Sequence, residues 1–413
     1  MKFLLAQINP VVGDLEGNAK KILFTASKAS SSSADLVLTP ELSLWGYPAN
    51  DLLLKKNLIK NQYQILDQLA LDINKKYGSL SITVGIAEII NDSFFPNLYN
   101  SVALLERGEW KIIARKIILP TYEVFDEKRY FRSGEKVSVL TKEINNKTWR
   151  IGFTICEDLW VNKNIEGRGI HKKNPIFDLK KKKVDILVNL SASPYTFKKI
   201  ELRSKVSSFA AQYLQVPLIY VNQIGANDNL IFDGNSFILD KNGSKIKQLK
   251  SFSEDLSSWD IEQTKPQKSK FEKSEMSSIF DALVLGVRDY AQKCGFKTAL
   301  IGLSGGIDSA LVSAIATAAL GSNNIYCVSM PSKWSSSHSK SDAKDLARRL
   351  KISFKSIPIE NLMTSFEESF IKTIDLKMAE ITNQNIQSRI RGCLLYTSPS
   401  PRDISRSRMP SSA

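Results

Sequence analysis

Thr298-Ala299-Leu300-Ile301-Gly302-Leu303-Ser304-Gly305-Gly306-Ile307-Asp308-Ser309 reads as an apolar β run, a glycine-rich turn and the opening of a helix that continues from Ala310. Glycines let a backbone approach a phosphate closely, a helix N-terminus offers free N–H donors and the positive end of its dipole, and Ser304 and Ser309 add hydroxyls. The segment is therefore expected to cradle phosphate. It lacks the Gly-Lys-Ser/Thr of a Walker loop, so it must be a phosphate loop of another type. A tight strand-to-helix turn without a ligand is the alternative reading of the same residues.

Outward from this turn, a helix over 276–294 precedes it. After the helix that ends near Leu320 come a strand over 324–330, a helix over 340–350 and a strand over 353–359. That alternation predicts an α/β doubly wound parallel sheet with its ligand at the C-terminal ends of the strands. Residues 261–276, with Lys265-Pro266-Gln267-Lys268-Ser269-Lys270, are polar, contain proline and lack apolar periodicity, as a linker does. Upstream, short β-rich runs alternate with helical stretches: 2–8, 35–38, 81–89, 101–106, 110–116, 150–156, 185–190, 217–223 and 236–239. Turn signals at Glu106-Arg107-Gly108-Glu109 and Asp240-Lys241-Asn242-Gly243 point to hairpins, so this part is expected to be an α/β layered domain with a mixed sheet. The expected organisation is a domain over 1–260, a linker over 261–276, a second domain over 277–392 and a divergent tail over 393–413.

With 413 residues, 43% hydrophobic and 24% charged, the chain has the make-up of a globular protein of more than one domain and not of a disordered one. Its first ten residues turn polar too soon for a secretory signal and no apolar run reaches bilayer-spanning length, which points to a cytoplasmic protein without membrane contact. Cys156, Cys294, Cys327 and Cys393 show neither paired spacing nor a Cys/His cluster, so disulfide frameworks and zinc sites are not expected and a functional cysteine would act alone. The net charge of +15 comes from lysines scattered along the chain. A solvated basic surface that suits small anionic substrates accounts for it without a nucleic-acid partner.

Three segments put a reactive side chain at the end of an apolar β run, where loops meet at a sheet rim. They are Thr39-Pro40-Glu41-Leu42, Arg115-Lys116-Ile117-Ile118-Leu119-Pro120 and Thr154-Ile155-Cys156-Glu157-Asp158. Taken singly, Glu41 reads as a solvated carboxylate, Lys116 as a solvated or capping cation and Cys156 as a small buried hydrophobe. In this order they resemble the Glu-Lys-Cys set of the nitrilase and amidase superfamily. Tyr122-Glu123-Val124-Phe125-Asp126-Glu127-Lys128-Arg129-Tyr130-Phe131 and Asn189-Leu190-Ser191-Ala192-Ser193-Pro194-Tyr195 resemble, more narrowly, the glutaminase domain of bacterial glutamine-dependent NAD synthetases.

The resemblance implies a nitrilase-like α-β-β-α sandwich, a Cys156 nucleophile, a Glu41 general base and a Lys116 that stabilises the oxyanion. It also implies glutamine contacts from Tyr122, Glu157, Ser193 and Lys199; ordinary packing is the alternative for Tyr122 and a plain turn for Ser193-Pro194. Chemistry accounts for these residue types. Amide hydrolysis through a thioester needs a thiolate, whereas a free thiol is mostly protonated at neutral pH, so a neighbouring base must take its proton. The two histidines, His171 and His338, lie in no promising context, which leaves a carboxylate for that task. Positive charge on Lys116 would meet the tetrahedral oxyanion, helped by a backbone N–H after Cys156, and would also favour the thiolate.

The second domain continues the likeness. Its glycine-rich turn resembles the pyrophosphate loop of enzymes that split ATP into AMP and pyrophosphate. This implies ATP contacts from Gly302, Leu303, Ser304, Gly305, Gly306, Ile307, Asp308 and Ser309, and a Mg2+ ion held with the help of Asp308. Met330-Pro331-Ser332-Lys333-Trp334-Ser335-Ser336 and Asn385-Ile386-Gln387-Ser388-Arg389-Ile390-Arg391-Gly392 are close to stretches of NAD synthetases, implying deamido-NAD contacts from Asn385 and Arg389. Solvated arginines on a helix are the alternative for Arg389 and Arg391. The implied reaction is coupled: ammonia freed from glutamine at Cys156 displaces AMP from adenylated deamido-NAD to give NAD, in a homo-oligomer.

The likeness ends at residue 392. Cys393 to Ala413 carry six Ser, three Pro and three Arg without a period and read as a sequence artefact, so the native chain is expected to be longer and the domain over 277–392 incomplete. A genuine tail would leave a glutaminase with little synthetase activity. Two other readings remain. A different ATP pyrophosphatase amidotransferase, acting on tRNA, would not need the 330–336 and 385–392 segments, and a basic nucleic-acid-binding protein would show salt-dependent retention on DNA or RNA without glutamine turnover.

Overall fold

Period-two alternation of apolar side chains explains the first half of the chain. In the computed structural model, which describes residues 1–90, 94–161, 173–263, 274–374 and 380–396, Phe3 and Leu5 of the first strand face one hydrophobic layer and Leu4 and Ala6 another. The expected linker and tail lie for the most part outside the described residues, as does His171. Two units divide the chain, Met1–Asp289 and Tyr290–Ala413.

The first unit runs β1 (Lys2–Gln7), α1 (Leu15–Ser31), β2 (Leu36–Leu38), α2 (Lys56–Tyr77), β3 (Ser81–Ile89), β4 (Leu98–Glu106), β5 (Glu109–Arg115), β6 (Ser138–Ile144), β7 (Lys147–Ile155), α3 (Pro175–Lys181), β8 (Ile186–Ser191) and α4 (Lys199–Leu214). It continues with β9 (Leu218–Asn222), β10 (Ile224–Asn227), β11 (Leu230–Asp233), β12 (Phe237–Leu239), β13 (Lys245–Gln248) and β14 (Asp255–Asp260), then most of α5 (Glu275–Lys293). Two six-stranded sheets form, in the orders β14-β1-β2-β3-β4-β5 and β13-β12-β9-β8-β7-β6, with β10 and β11 as a separate hairpin. Both sheets are mixed, as the turn signals suggested. The Glu106–Glu109 hairpin takes Arg107 and Gly108 at φ 55° and 83°, which suits a tight right-twisted connection.

Phe3, Leu5, Leu36, Leu38 and Leu104 of one sheet meet Ile151, Phe153, Ile186, Val188 and Val221 of the other. Their neighbours turn outward: Leu4, Val37, Ile82 and Val84 pack against Ile22, Ala26, Leu66 and Ile73 of α1 and α2, and Leu187, Leu218 and Tyr220 against Ile176, Leu179, Val206 and Ala210 of α3 and α4. The result is the α-β-β-α sandwich. A fully buried side chain of this kind contributes roughly 1.5–3 kcal/mol, which is why strands with two apolar faces belong at the centre.

Topology then gathers the loops. β1, β2 and β3 are parallel, and β3, β4 and β5 alternate, so β5 runs with β2. In the other sheet β7, β8 and β9 are parallel. Within each sheet the C-terminal strand ends therefore share a rim. Just past the C-terminal ends of β1 and β9, α5 is held by Ala282 and Leu285 against Ile224 and Phe252, and by Asp289 Oδ2, which accepts from Asn9 Nδ2 at 2.7 Å and Ala226 N at 2.8 Å.

The second unit runs β15 (Ala299–Gly302), α6 (Ile307–Leu320), β16 (Ile325–Ser329), α7 (Ser337–Leu350), β17 (Ser353–Ser356), α8 (Glu360–Ile374) and α9 (Glu380–Tyr396). Its three strands are parallel in the order β15-β16-β17. Ala316, Ala343 and Ala347 of α6 and α7 pack with Ile325 and Cys327, while Met363 and Ile390 of α8 and α9 pack with Met330 and Ile359. Helices thus flank the strands in the doubly wound manner. No helix among the described residues is long and apolar enough to cross a membrane.

Candidate active site

Glu41 stands in the turn after β2, and that turn is shaped before the carboxylate is. Thr39 Oγ1 lies 2.7 Å from Ser43 Oγ, and Gly85 N of β3 donates to Ser43 Oγ at 2.9 Å. A Cβ on Gly85 would sit 2.2 Å from Leu42 N, so only glycine lets the turn lie on the strand. The carboxylate is 1% exposed. Its Oε1 accepts from Asn100 Nδ2 at 2.8 Å and Lys116 Nζ at 2.6 Å, and its Oε2 accepts from Ala192 N, just past β8, at 3.0 Å.

Lys116 follows β5 and is pinned on both sides of its peptide: its N–H donates to Asn100 O at 2.8 Å and its carbonyl accepts from Gly134 N at 2.7 Å. The buried ammonium has a second anionic partner, Glu127 Oε1 at 2.7 Å, which also accepts from Tyr47 OH at 2.8 Å. Cys156 follows β7. It opens a short 3-10 turn, Cys156–Leu159, at φ 44°, is buried, and its carbonyl lies 3.4 Å from Asn189 Nδ2 of β8. A non-glycine residue in the left-handed region is costly and is kept where the surroundings fix it, often at functional sites.

Burial alone would push the Lys116 ammonium down, but Glu127 and Glu41 hold it well above the usual lysine range. Burial and then Glu41 push the Cys156 thiol well up; Lys116 pulls the other way, as expected from its charge, and is outweighed. The resting site therefore holds a neutral thiol, and ionisation must accompany attack. Burial pushes the Glu127 carboxyl up to about 7 against the pull of Lys116, with Glu41 adding to the rise.

A stability consequence follows. Because the folded-state value of Glu127 is raised above the ordinary 4.5, the stability it contributes is present at acid pH and lost as pH rises through about 7. Asp158, pushed by burial to about 7, acts in the same direction. The fall in stability from this group is expected between about pH 4.5 and about pH 7, read as a melting temperature that falls less steeply there in Glu127→Gln. Equal slopes in the two proteins would contradict the assignment.

Of the residues expected to contact glutamine, Tyr122 and Glu157 meet directly, the Tyr122 hydroxyl donating to Glu157 Oε2 at 3.0 Å beside Cys156. Ser193 follows Ala192 past β8; its N–H donates to Asn222 Oδ1 at 2.8 Å and its Oγ accepts from the buried Arg203 Nε at 3.1 Å. Lys199 opens α4 with its Nζ 5.2 Å from the Trp160 ring centre. Three members of the cluster escaped the sequence reading. Glu127 lay inside the quoted 122–131 run without being singled out, whereas Tyr47 and Asn100 belong to no motif. For Asn100 the available signal was a polar residue at an inward position of an otherwise apolar strand.

In the second unit a cleft of about 630 Å³ opens at the C-terminal ends of β15 and β16, lined by Gly302, Leu303, Ser304 and Gly306 and by Met330, Ser332, Lys340, Gln387 and Arg391. Gly305 has φ 87°, and a Cβ there would lie 2.2 Å from Ser339 O. Gly306 N donates to Ser304 Oγ at 3.2 Å, and Ser304 Oγ stands 3.1 Å from Ser309 Oγ. Ser332 Oγ and Gln387 Oε1 are buried in this lining without a hydrogen-bond partner, the state of a site built for a polar ligand. Asp308 is exposed in the first turn of α6. Asn385 and Arg389 are exposed on α9 and do not line the cleft, whereas Gln387 and Arg391, one turn apart, do. Arg391 Nε donates to Met330 O at 3.1 Å.

A carbon-nitrogen hydrolase family model matches residues 5–269 and an NAD synthase family model residues 279–402. A glutamine-dependent NAD(+) synthetase of Synechocystis is 42% identical over 399 residues, which are 95% of this chain and 70% of that protein. The namesake from Acinetobacter baylyi is 36% identical over 95% of this chain and 69% of its own length. Among solved structures, glutamine-dependent NAD+ synthetase from Acinetobacter baumannii in complex with ADP superposes with a TM-score of 0.84 at 35% identity, covering 96% of this chain and 72% of that one. A nitrilase-superfamily amidase from Nesterenkonia shares the fold of the first part, with a TM-score of 0.51 at 19% identity over 62% of this chain.

Proposed function

The chain belongs to the glutamine-dependent NAD synthetase family, and from that premise we propose how its own residues carry the glutamine and ATP half-reactions of that ligase. The observation that carries the reading is the buried Glu41–Lys116 pair at 2.6 Å, acting electrostatically on the Cys156 thiol. When a glutamine carboxamide enters, Cys156 Sγ attacks its carbon while Glu41 takes the thiol proton. Lys116 and a backbone N–H after Cys156 meet the negative charge that develops on the carboxamide oxygen. Return of the proton to the amine releases ammonia and leaves a thioester, which water opens to glutamate with Glu41 again as base. Glu127 does not touch the thiol's proton path in this scheme; it fixes Lys116 from the far side. Tyr122, Glu157, Ser193 and Lys199 hold the rest of glutamine.

In the second unit, ATP occupies the cleft with its phosphates on the Gly302–Ser309 loop, supported by the orphaned Ser332 and Gln387 atoms and by the close Gly305–Ser339 approach. A Mg2+ ion fits this arrangement through Asp308 and the phosphates together, since Mg2+ keeps much of its water and takes one or two carboxylates. No group of three or more His, Cys, Asp or Glu side chains that could hold a metal ion occurs among the described residues. Asn385 and Arg389 are assigned to deamido-NAD, and the protein to a cytoplasmic homo-oligomer.

The test is a mixture of glutamine and ATP with deamido-NAD or tRNA side by side: with deamido-NAD, glutamate, AMP and NAD should form together, whereas nitrogen transfer to tRNA would favour the other amidotransferase reading. Gly305→Ala is expected to weaken ATP binding by about tenfold or more, because a strained φ and a 2.2 Å approach to Ser339 O must both be relieved by moving the loop. Calorimetric titration with ATP reads it, and unchanged affinity would detach the loop from the nucleotide.

A further inference from the structure

Asp158 has no part in the chemistry just described, yet it accepts three backbone hydrogen bonds beside it, as many as Glu41 accepts in all. It is 2% exposed. Its Oδ2 accepts from Ile155 N at 3.0 Å, and its Oδ1 accepts from Ile117 N at 2.9 Å and Ile118 N at 2.7 Å. Ile155 immediately precedes the nucleophile, and Ile117 and Ile118 immediately follow the catalytic lysine. The two segments come from different sheets, one leaving β7 and the other β5.

We propose that Asp158 is the positioning residue of the amide-hydrolysing site, a single carboxylate that sets the distance between Cys156 and Lys116 by clamping the backbone beside each. The left-handed backbone at Cys156 makes the clamp necessary: an αL cysteine relaxes unless its neighbours are held, and the Ile155 N–H bond closes the turn that holds it. Lys116 is already tied to β4 of its own sheet through Asn100 O and to the loop before β6 through Gly134 N, which fixes its backbone but says nothing of its distance to the nucleophile. Asp158 supplies that cross-sheet link. Two oxygens are needed, because three N–H donors converge from two directions, and a carboxylate is the smallest side chain that accepts from both.

This inference rests on the glutaminase reading, and the same experiment separates their failures. Asp158→Asn keeps the volume but turns an NH2 group toward at least one donor, so the clamp opens on one side. Glutamine hydrolysis by the full chain is expected to lose about 10²-fold in kcat, the scale of a 1 Å misplacement, with KM within about threefold. Alkylation of Cys156 by iodoacetamide, followed on the Cys156 peptide because the exposed Cys294 and Cys393 also react, should slow in parallel, since the thiol loses its setting against Glu41 and Lys116. A wild-type chain that does not hydrolyse glutamine sinks the glutaminase reading itself. With an active wild type, the positioning role is overturned by an unchanged kcat, by a change in KM alone, or by a fall in kcat with the alkylation rate intact. Should Asp158→Asn not fold, Asp158→Ser takes its place, capping Ile155 without spanning to Ile117 and Ile118. If neither variant reaches the folded circular-dichroism spectrum, Asp158 is a folding determinant and the proposal falls.

Discussion

Cys156→Ala is expected to lower glutamine hydrolysis by about 10⁴-fold or more, the scale seen when the nucleophile of a covalent mechanism is removed. The substitution takes one buried sulfur from a site whose other groups are held by bonds that do not involve it. Glu41 keeps Asn100, Lys116 and Ala192, and Lys116 keeps Glu127. The fold should therefore persist, and the thermal transition should move little, while glutamate release vanishes. Cys294, Cys327 and Cys393 all belong to the second unit, Cys327 buried and the other two exposed. Residual turnover within about tenfold of the parent in a glutamate-release assay would move the nucleophile elsewhere.

Lys116→Met should be the most damaging change to stability. The ammonium is the cation between two buried carboxylates, 2.6 Å from Glu41 and 2.7 Å from Glu127, and both side chains approach the same nitrogen. Removing one partner of a buried ionic cluster leaves uncompensated charge and typically costs about 3–5 kcal/mol. Here the remaining carboxylates also repel each other. Adding Glu127→Gln to Lys116→Met removes one of those charges and is expected to recover part of the loss in urea unfolding at about pH 8, whereas glutamine hydrolysis stays absent in both. A Lys116→Met protein as stable as its parent would show that the cluster is not charged as described.

The sequence exposed most of this site because chemistry-bearing residues interrupt apolar runs at the positions where strands end. Glu41 follows β2, Lys116 follows β5 and Cys156 follows β7, each one to three residues past the last paired position. The central strands were legible for the same reason: buried on both faces, they are nearly continuous apolar runs. Of the four edge strands, only β5 was. β6, β13 and β14 lie at or form the margins of the two sheets, are half exposed and contain Lys, Ser, Thr, Gln or Asp, so their apolar signal sank to that of loops. The division into two sheets came from the family resemblance and not from the pattern, because alternation tells that a strand has two buried faces and not which layer each face meets. Glu127 and Asn100 were missed on a different ground: their importance comes from a charge 11 and 59 residues away, which local pattern does not encode.

One feature of the sandwich reaches further than architecture. Glu41 and Lys116 ride on one sheet and Cys156 on the other, and the hydrophobic layer of Phe3, Leu104, Ile151 and Val188 spaces the sheets that the Asp158 clamp ties together. Thickness of that layer is thus a functional dimension, like the spacer in a parallel-plate instrument. An added methylene in a close-packed core, tolerable to the fold at about 1–3 kcal/mol, pries the plates apart and detunes the reaction. Residues that never see glutamine are bound by this tolerance, and the chain can become silent while every strand still stands.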